Sequence, residues 1–361
     1  MPVPALVRAP ERDDDDVAGA RIDLLVAARA AVGLRRRVRL DRPELGERSG
    51  ERILDELPAA GTGHGFARGW HTGIIAPPAR PGYNWGVAQR ASPVVRLALR
   101  VPTAALLGTP GLGGALRDLA GALERSALDA LVLAPPDDPA SGDPYVVLGA
   151  LGALTRRVAL GCLATASDER HPAVLAKTVA ALDVITSGRA LALLGPARRG
   201  GDDAALAEGL EVLRAMLRVP APSLTGAHFA IARAWNEPRA RRATPTPVGC
   251  LVPPGRPDLL AAAARFAELT VCSSPPEPAG ELAALAGEFR AACRLAGRLP
   301  GEAVLLGIVP VPAGARRPPL DRLDALRAAG FDGVVLDLAR APDPAALAAL
   351  AATARAALAG G

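Results

Sequence analysis

The stretch of sequence that decides the fold is VALGCLATASDERHPAVLAKTVAALDVITSGRALALLG, residues 158–195. It begins with a short aliphatic run, continues into a helix that starts at His171-Pro172, and ends in a second aliphatic run at 190–194. Proline is favoured in the first turn of a helix, and a glycine after the last apolar residue is typical of a helix end. Short aliphatic runs on both sides of a helix indicate parallel strands that are buried on both faces. The stretch therefore predicts a strand–helix–strand unit.

The same alternation recurs from Val94 to the end of the sequence and predicts eight strand–helix units. Eight such units in a segment of this size favour a (β/α)₈ TIM barrel, with a doubly wound open sheet as the alternative. A small hairpin is predicted around 226–231. The predicted strands are 94–101, 130–134, 158–165, 190–194, 248–252, 269–274, 303–311 and 333–338, and the predicted helices are 112–126, 144–155, 172–185, 203–217, 257–266, 281–296, 320–329 and 344–359.

Residues 1–93 form an N-terminal extension that the barrel, residues 94–361, does not explain. Two short helices are predicted, at 17–33 and 50–61, and the dense Gly and Pro of 64–85 preclude a regular element there. We expect an arm that packs along its own barrel or a neighbouring one; disorder or a gene start placed too early are alternatives. A further alternative is a lid over the barrel mouth, which would supply His64, Trp70, His71, Tyr83 or Trp85.

Composition argues against several classes of function. The net charge is +5, but the two dense basic runs, 34–39 and 239–242, are not interleaved with the aromatic residues that stack on nucleic acid bases. No apolar run approaches the roughly 18 to 20 residues of a membrane span. The N-terminus carries four aspartates rather than a basic leader, so no secretory signal is expected. We expect a cytoplasmic protein that binds neither nucleic acid nor membrane.

The four cysteines (Cys162, Cys250, Cys272 and Cys293) are widely spaced and form no CxxC pair. Three of them fall inside apolar, strand-like runs. Buried, reduced thiols are therefore predicted rather than disulfides or a zinc site. No metal ligands are predicted.

In a TIM barrel the active site lies at the carboxyl ends of the strands, in the loops that follow them. These loops hold little obvious chemistry in this sequence. They contain no HExxH metal motif, no GxSxG nucleophile turn and no GxGxxG after the first strand. Asp337, at the end of the last strand, is a candidate either for a hydrogen bond at the barrel mouth or for a catalytic role.

The segment 143–195 contains a set of residues whose spacing matches a known family pattern: Asp143-Pro144, Thr155, Arg157, Leu160-Gly161, His171-Pro172, Ala176, Leu182-Asp183 and Ser187-Gly188-Arg189. With these residues the segment resembles the luciferase-like monooxygenase family of flavin- and deazaflavin-dependent oxidoreductases, and weaker similarity extends over about 94–358. The resemblance implies a (β/α)₈ barrel that binds FMN or the deazaflavin coenzyme F420.

The sequence departs from the family pattern at two loops. Many members have an acid–His pair after the second strand, where this chain has Pro135 and Pro136, which carry no titratable group. Members also have a glycine-rich run after the fourth strand. Here only Gly195 remains, followed by Pro196, which lacks an N–H donor, and by Ala197.

The resemblance implies a set of site residues in the loops after the third and fourth strands. Thr165, Gly195, Ala197, Arg198 and Arg199 are the predicted cofactor contacts, with the arginines as phosphate ligands. His171 and Asp168 are the predicted catalytic groups, with Glu169 as another acid–base candidate. Each of these catalytic candidates also has a structural interpretation. His171 would close the start of a helix, and Asp168 and Glu169 would be favourable charges near a helix N-terminus.

Two functions follow from this reading. The first is a divergent oxidoreductase or monooxygenase that uses a flavin or deazaflavin for hydride transfer or oxygen insertion on an unknown small molecule. The alternative is a catalytically silent barrel, without a cofactor, that acts as a structural or regulatory partner. In either case the expected assembly is a homodimer or a heterodimer with a related barrel.

Overall fold

A computed structural model describes residues 95–136, 142–198, 200–238, 245–273 and 279–359. The N-terminal extension, with its predicted helices and lid residues, lies outside the described residues, as does Arg199. Within the described ranges no helix combines the length and apolar character that crossing a membrane requires.

Eleven strands and nine helices are present in the described residues. The strands are β1 (Leu97–Pro102), β2 (Ala130–Ala134), β3 (Ala159–Cys162), β4 (Thr165–Ala166), β5 (Ala190–Gly195), β6 (Leu224–Thr225), β7 (Ala230–Ile231), β8 (Val248–Val252), β9 (Leu269–Cys272), β10 (Val304–Val311) and β11 (Gly333–Leu338). The helices are α1 (Thr103–Leu107), α2 (Leu112–Arg125), α3 (Pro144–Leu154), α4 (Pro172–Ile185), α5 (Asp203–Arg218), α6 (Pro257–Phe266), α7 (Ala279–Leu295), α8 (Leu320–Ala328) and α9 (Pro344–Ala359).

The parallel strands close into an eight-stranded barrel. Around the ring the order is β3, β2, β1, β11, β10, β9, β8 and β5, and β5 pairs back with β3. This closure confirms the predicted (β/α)₈ barrel and rules out the open sheet, which would leave two unpaired edges. The hairpin is also present, with antiparallel strands β6 and β7.

The third barrel strand differs from its prediction as one continuous run over 158–165. It is divided into β3 and β4, and the peptide between Leu163 and Ala164 is cis. The second piece, β4, continues the barrel wall by pairing with the end of β5. The break lies at the carboxyl end of the strand, beside the loops in which the site is expected.

Alternate residues of each strand face two separate apolar layers. Ala98, Val132, Leu163, Leu191 and Val335 belong to the cluster that fills the lumen of the barrel. Their neighbours along the chain, such as Leu97, Leu131 and Leu336, belong to the larger cluster between strands and helices. This two-residue period fixes which side chains point into the lumen at the barrel mouth.

The N-terminal face of the barrel is held by a repeated carboxylate arrangement. Asp129, Glu268 and Asp332 each directly precede a strand and accept a backbone N–H from the start of the neighbouring strand, at 2.9, 2.9 and 2.7 Å. Each also pairs with an arginine on a surrounding helix: Arg355 at 2.6 Å, Arg218 at 2.8 Å and Arg290 at 2.5 Å, respectively. The pattern joins adjacent strands and ties the helices to them.

The Ser-Gly-Arg turn before β5 belongs to this same face. Gly188 adopts a left-handed conformation (φ 88°), and Arg189 is 5% exposed. The Arg189 guanidinium donates to four backbone carbonyls and to the Thr155 hydroxyl at 2.6–3.1 Å. Asp183 accepts from the Ala190 amide and the Thr246 hydroxyl, both at 3.0 Å. Several residues of the family resemblance therefore hold the barrel rather than face its mouth.

Candidate active site

The candidate site lies at the opposite face, where the carboxyl ends of the strands meet. Thr165 begins β4 and is buried, and its hydroxyl lies 2.8 Å from the Tyr145 hydroxyl at the start of α3. Burial raises the pKa of Tyr145 and raises the pKa of the nearby Cys162 to about 12. Both groups are therefore neutral at physiological pH. The predicted cofactor contact of Thr165 stays a prediction, and its hydroxyl already has a protein partner.

An ion pair between Asp143 and Arg170 lies next to this buried cluster, on the side of the loops. Asp143 accepts the Tyr145 amide at 2.8 Å and caps α3, and its other oxygen accepts from Arg170 at 2.8 Å. The Arg170 guanidinium lies 5.2 Å from the centre of the Tyr145 ring. Pro135, Pro136, Gly142, Asp143, Pro144, Glu169 and Arg170 line a cavity of about 200 Å³.

The loops after the third and fourth barrel strands meet through three predicted site residues. The Arg198 amide donates to Asp168 at 2.9 Å, and Arg198 Nε donates to Glu169 at 2.5 Å. Both side chains of the Arg198–Glu169 ion pair are about a quarter exposed. An incoming phosphate would have to compete with Glu169 for the Arg198 guanidinium, so Arg198 is weakly suited to bind one.

Gly195 ends β5 at a point of close contact within the chain. Its carbonyl accepts from the Ser167 amide at 3.0 Å. A Cβ at this position would lie 2.8 Å from the Cβ of Ala164, closer than such atoms approach in proteins. The absence of a side chain at Gly195 therefore leaves space for Ala164, which lies at the break in the third barrel strand. Ala197 lies in the turn that follows, against Gly201. Cofactor contacts of Gly195 and Ala197 stay predictions.

His171 acts as the N-cap of α4. Its Nδ1 accepts the Ala173 amide at 3.1 Å, which places the imidazole proton on Nε2. The ring packs edge-on against Phe229 of the hairpin, with 5.2 Å between ring centres. The hairpin is held in turn by Glu208, which accepts the amides of His228 and Phe229. The structural role considered for His171 from the sequence is thus observed, while its catalytic role stays a prediction.

Arg100 was not among the predicted site residues, but it pairs with the predicted residue Asp337 inside the barrel mouth. Arg100 Nη1 donates to both Asp337 oxygens at 2.9 and 3.0 Å, and Nε donates to the Leu163 carbonyl at 3.3 Å. Since Ala98 and Val335 face the lumen, Arg100 and Asp337, two residues further along, face it as well. Counting alternate residues along β1 would have placed Arg100 there.

Two larger depressions lie at the rim. One, of about 490 Å³, is bounded by the loops after β10 and β11 and includes Arg316 and Arg340. The other, of about 460 Å³, lies between the loop after β8 and helices α6 and α7. Within the part of the chain that the structure describes, no group of three or more His, Cys, Asp or Glu side chains is placed to hold a metal ion.

Comparison with known proteins assigns the barrel to a family. The sequence pattern of the family described as luciferase-like monooxygenase matches residues 102–318, more than half of the chain. A phthiodiolone/phenolphthiodiolone dimycocerosates ketoreductase of Mycobacterium sp. (strain JLS) is 40% identical over 63 residues, which is 17% of this chain and 17% of that enzyme. The activity of that enzyme therefore does not carry over.

Several solved structures share the fold. An F420-dependent secondary alcohol dehydrogenase, in complex with an F420–acetone adduct, has a TM-score of 0.57 at 13% identity, covering 73% of this chain and 99% of that one. The coenzyme F420-dependent tetrahydromethanopterin reductase of Methanopyrus kandleri has 0.56 at 15%, covering 73% and 98%. The monooxygenase RslO1 of Streptomyces bottropensis has 0.55 at 20%, covering 73% and 97%. At these identities the similarity shows the fold alone.

Proposed function

Because the chain belongs to the luciferase-like monooxygenase family, we propose that it is an oxidoreductase that uses a flavin or deazaflavin to act on a small organic molecule. The observation that carries the proposal is the family match over 102–318, on a barrel that closes as that family requires. The cofactor would supply hydride transfer or oxygen chemistry, and the barrel would supply placement and exclusion of water.

The residues at the barrel mouth fit the ring system of such a cofactor better than its phosphate. The Arg100–Asp337 pair is partly exposed above the aliphatic side chains that fill the lumen, and a flat ring system with one polar edge suits such a boundary between apolar and charged groups. In the described part of the loop after β5, Pro196 and Arg198 suit a phosphate poorly, because Pro196 has no N–H and the Arg198 amide and Nε already bind Asp168 and Glu169. We therefore expect the ring to contribute most of the affinity.

Both cofactor types belong in the test. Two of the structures that share the fold are F420-dependent enzymes, which supports including F420 beside FMN. The decisive experiment is a titration of the purified full chain with each cofactor, followed by fluorescence. Binding of either at or below tens of micromolar supports the proposal. Binding of neither contradicts it and favours the catalytically silent barrel instead.

Asp168 and His171 are retained as the proposed acid–base groups, because both follow the third barrel strand at the mouth. Each already has a defined contact, to the Arg198 amide and the Ala173 amide respectively. To show a catalytic role, a substitution must lower turnover while these hydrogen bonds are kept. Asp168→Asn and His171→Asn keep a hydrogen-bond acceptor while removing the titratable group, and they serve that purpose.

The proposed assembly is a homodimer through the outer faces of α3 and α4. Val146, Val174 and Ile185 on these two neighbouring helices are 74, 55 and 52% exposed, and exposed apolar side chains on adjacent helices suit an interaction surface. Sedimentation of the wild type as a dimer, and of Val146→Asp/Val174→Asp as a monomer, would support it. A wild type that is monomeric at tens of micromolar would contradict it.

A cytoplasmic location is also part of the proposal. All four cysteines are free and buried, as the sequence predicts, which suits a reducing compartment.

A further inference from the structure

The Arg100–Asp337 pair is an unusual feature of the lumen. The preceding lumen positions on the same two strands are Ala98 and Val335, and the cluster around them is aliphatic. Charged groups next to an apolar wall incur a desolvation cost that well-packed aliphatic side chains would avoid. The pair lies in register across the junction of the first and last barrel strands, at the carboxyl end where barrels place their ligands.

The geometry holds the guanidinium while leaving one side of it open. Nε is fixed by the Leu163 carbonyl and Nη1 by both carboxylate oxygens of Asp337. Among the residues that the structure describes, Nη2 of Arg100 has no hydrogen-bond partner. The side chains of Arg100 and Asp337 are 27 and 25% exposed, so a molecule in the mouth can reach them.

We propose that Arg100, positioned by Asp337, binds the oxygen-bearing polar edge of the cofactor ring and favours its reduced, negatively charged form. The inference rests on the proposed function. A flavin or deazaflavin carries carbonyl oxygens at the pyrimidine end of the ring, and negative charge gathers there on reduction. A fixed guanidinium donates to such oxygens, and its interaction strengthens when the acceptor becomes charged. Asp337 offsets part of the positive charge, so the site accepts both the neutral and the anionic ring.

The alternative is that the pair only joins the first strand to the last. The two roles separate in a double variant. Arg100→Met/Asp337→Leu replaces the ion pair by apolar side chains of similar size, a change that is often neutral or stabilising when an ion pair lies against an apolar core. If the pair only joins the two strands, the double variant should keep that join through apolar packing. It would still lack the guanidinium that binds the ring oxygen.

The experiment measures the dissociation constants of the oxidised and chemically reduced forms of whichever cofactor binds, FMN or F420. The full-length wild type is compared with Arg100→Met, with the double variant and with Arg355→Met. The last is a matched control, because Arg355 forms a similar ion pair with Asp129 on the opposite face of the barrel. Thermal unfolding of each variant reports on folding separately.

We expect both Arg100 variants to lose about 10- to 100-fold in affinity for the reduced form, the usual effect of a charged hydrogen bond. They should lose less for the oxidised form, while Arg355→Met keeps the wild-type ratio. Unchanged affinities in the folded double variant would overturn the inference and leave the pair a structural closure. If the wild type binds neither cofactor, the proposed function fails first, and the two failures are thus distinguishable.

Discussion

The two faces of the barrel differ in what their polar groups contact. At the N-terminal face, Asp129, Glu268 and Asp332 repeat one arrangement that joins strand to strand and strand to helix. At the C-terminal face the polar contacts join loops, as in the Arg198–Glu169 pair, or leave a donor open, as at Arg100. The first face is built to hold a shape, and the second has groups that a ligand can still engage.

This difference limits what the family resemblance means. Thr155, Asp183 and Arg189 are among the residues that carry the resemblance, and all three serve the N-terminal face. Residues at that end of a barrel contribute stability, whereas those at the carboxyl ends of the strands contribute chemistry. The resemblance is therefore strong support for the fold, and the catalytic role has to be tested at the mouth.

The largest expected effect is the loss of Arg189. Arg189→Met removes five donors and leaves buried carbonyls without partners, so we expect the free energy of unfolding to fall by more than about 3 kcal/mol. Arg198→Met, at the mouth, removes a partly exposed ion pair and should cost less than about 1 kcal/mol. Denaturant unfolding of both variants checks the contrast. Similar losses for the two would contradict the distinction between the faces.

The next effect concerns Gly195, a predicted cofactor residue. In Gly195→Ala the new methyl group would meet Ala164 at 2.8 Å, and such overpacking costs about 1–3 kcal/mol. Gly149→Ala is the control, since its methyl group meets nothing within 4 Å in α3 and should stabilise the helix by up to about 1 kcal/mol. Thermal unfolding without cofactor distinguishes them. Full stability of Gly195→Ala would show that the position does not need a glycine for packing.

Features of the fold that depend on residues close together in the sequence were predictable, whereas contacts between residues far apart in the sequence were not. The eight units were readable because hydrophobic periodicity is local, and α6 begins and ends as predicted, at 257 and 266. The break at Leu163 was not, because LGCLATA reads as one apolar run. Alternation along β1 could have placed Arg100 in the lumen, but its pairing with Asp337 could not be read from the sequence, because the two residues are 237 apart and only strand register brings them together. The ion pair of Arg198 with Glu169 likewise depends on where two loops meet.

A smaller effect separates the two roles of His171. His171→Ala removes the cap of α4 and should lower the free energy of unfolding by about 1 kcal/mol. His171→Asn keeps an acceptor for the Ala173 amide and should unfold close to the wild type. If His171→Asn is stable and also turns over substrate normally, the residue is a cap and the catalytic prediction is wrong. A stable but inactive His171→Asn would support catalysis.

The smallest expected effect is the difference in affinity between FMN and riboflavin, which lacks the phosphate. Since the Arg198 amide and Nε already bind Asp168 and Glu169 in the described part of the loop after β5, we expect the phosphate of FMN to add little, and riboflavin to bind within about three-fold of FMN. A phosphate held by even one charge-assisted hydrogen bond would instead favour FMN by about ten-fold or more. Parallel fluorescence titrations measure the ratio. A large preference for FMN would show that the mouth contains a phosphate site after all.

The most direct test of the central claim, that ligands engage the C-terminal mouth while the other face serves only the fold, is hydrogen–deuterium exchange with and without bound cofactor. We expect slower exchange at 100–103, 163–166 and 337–340 when the cofactor is bound, and no change at 126–130 or 183–189. Protection confined to the N-terminal face, or no protection in a protein saturated with cofactor, would contradict it.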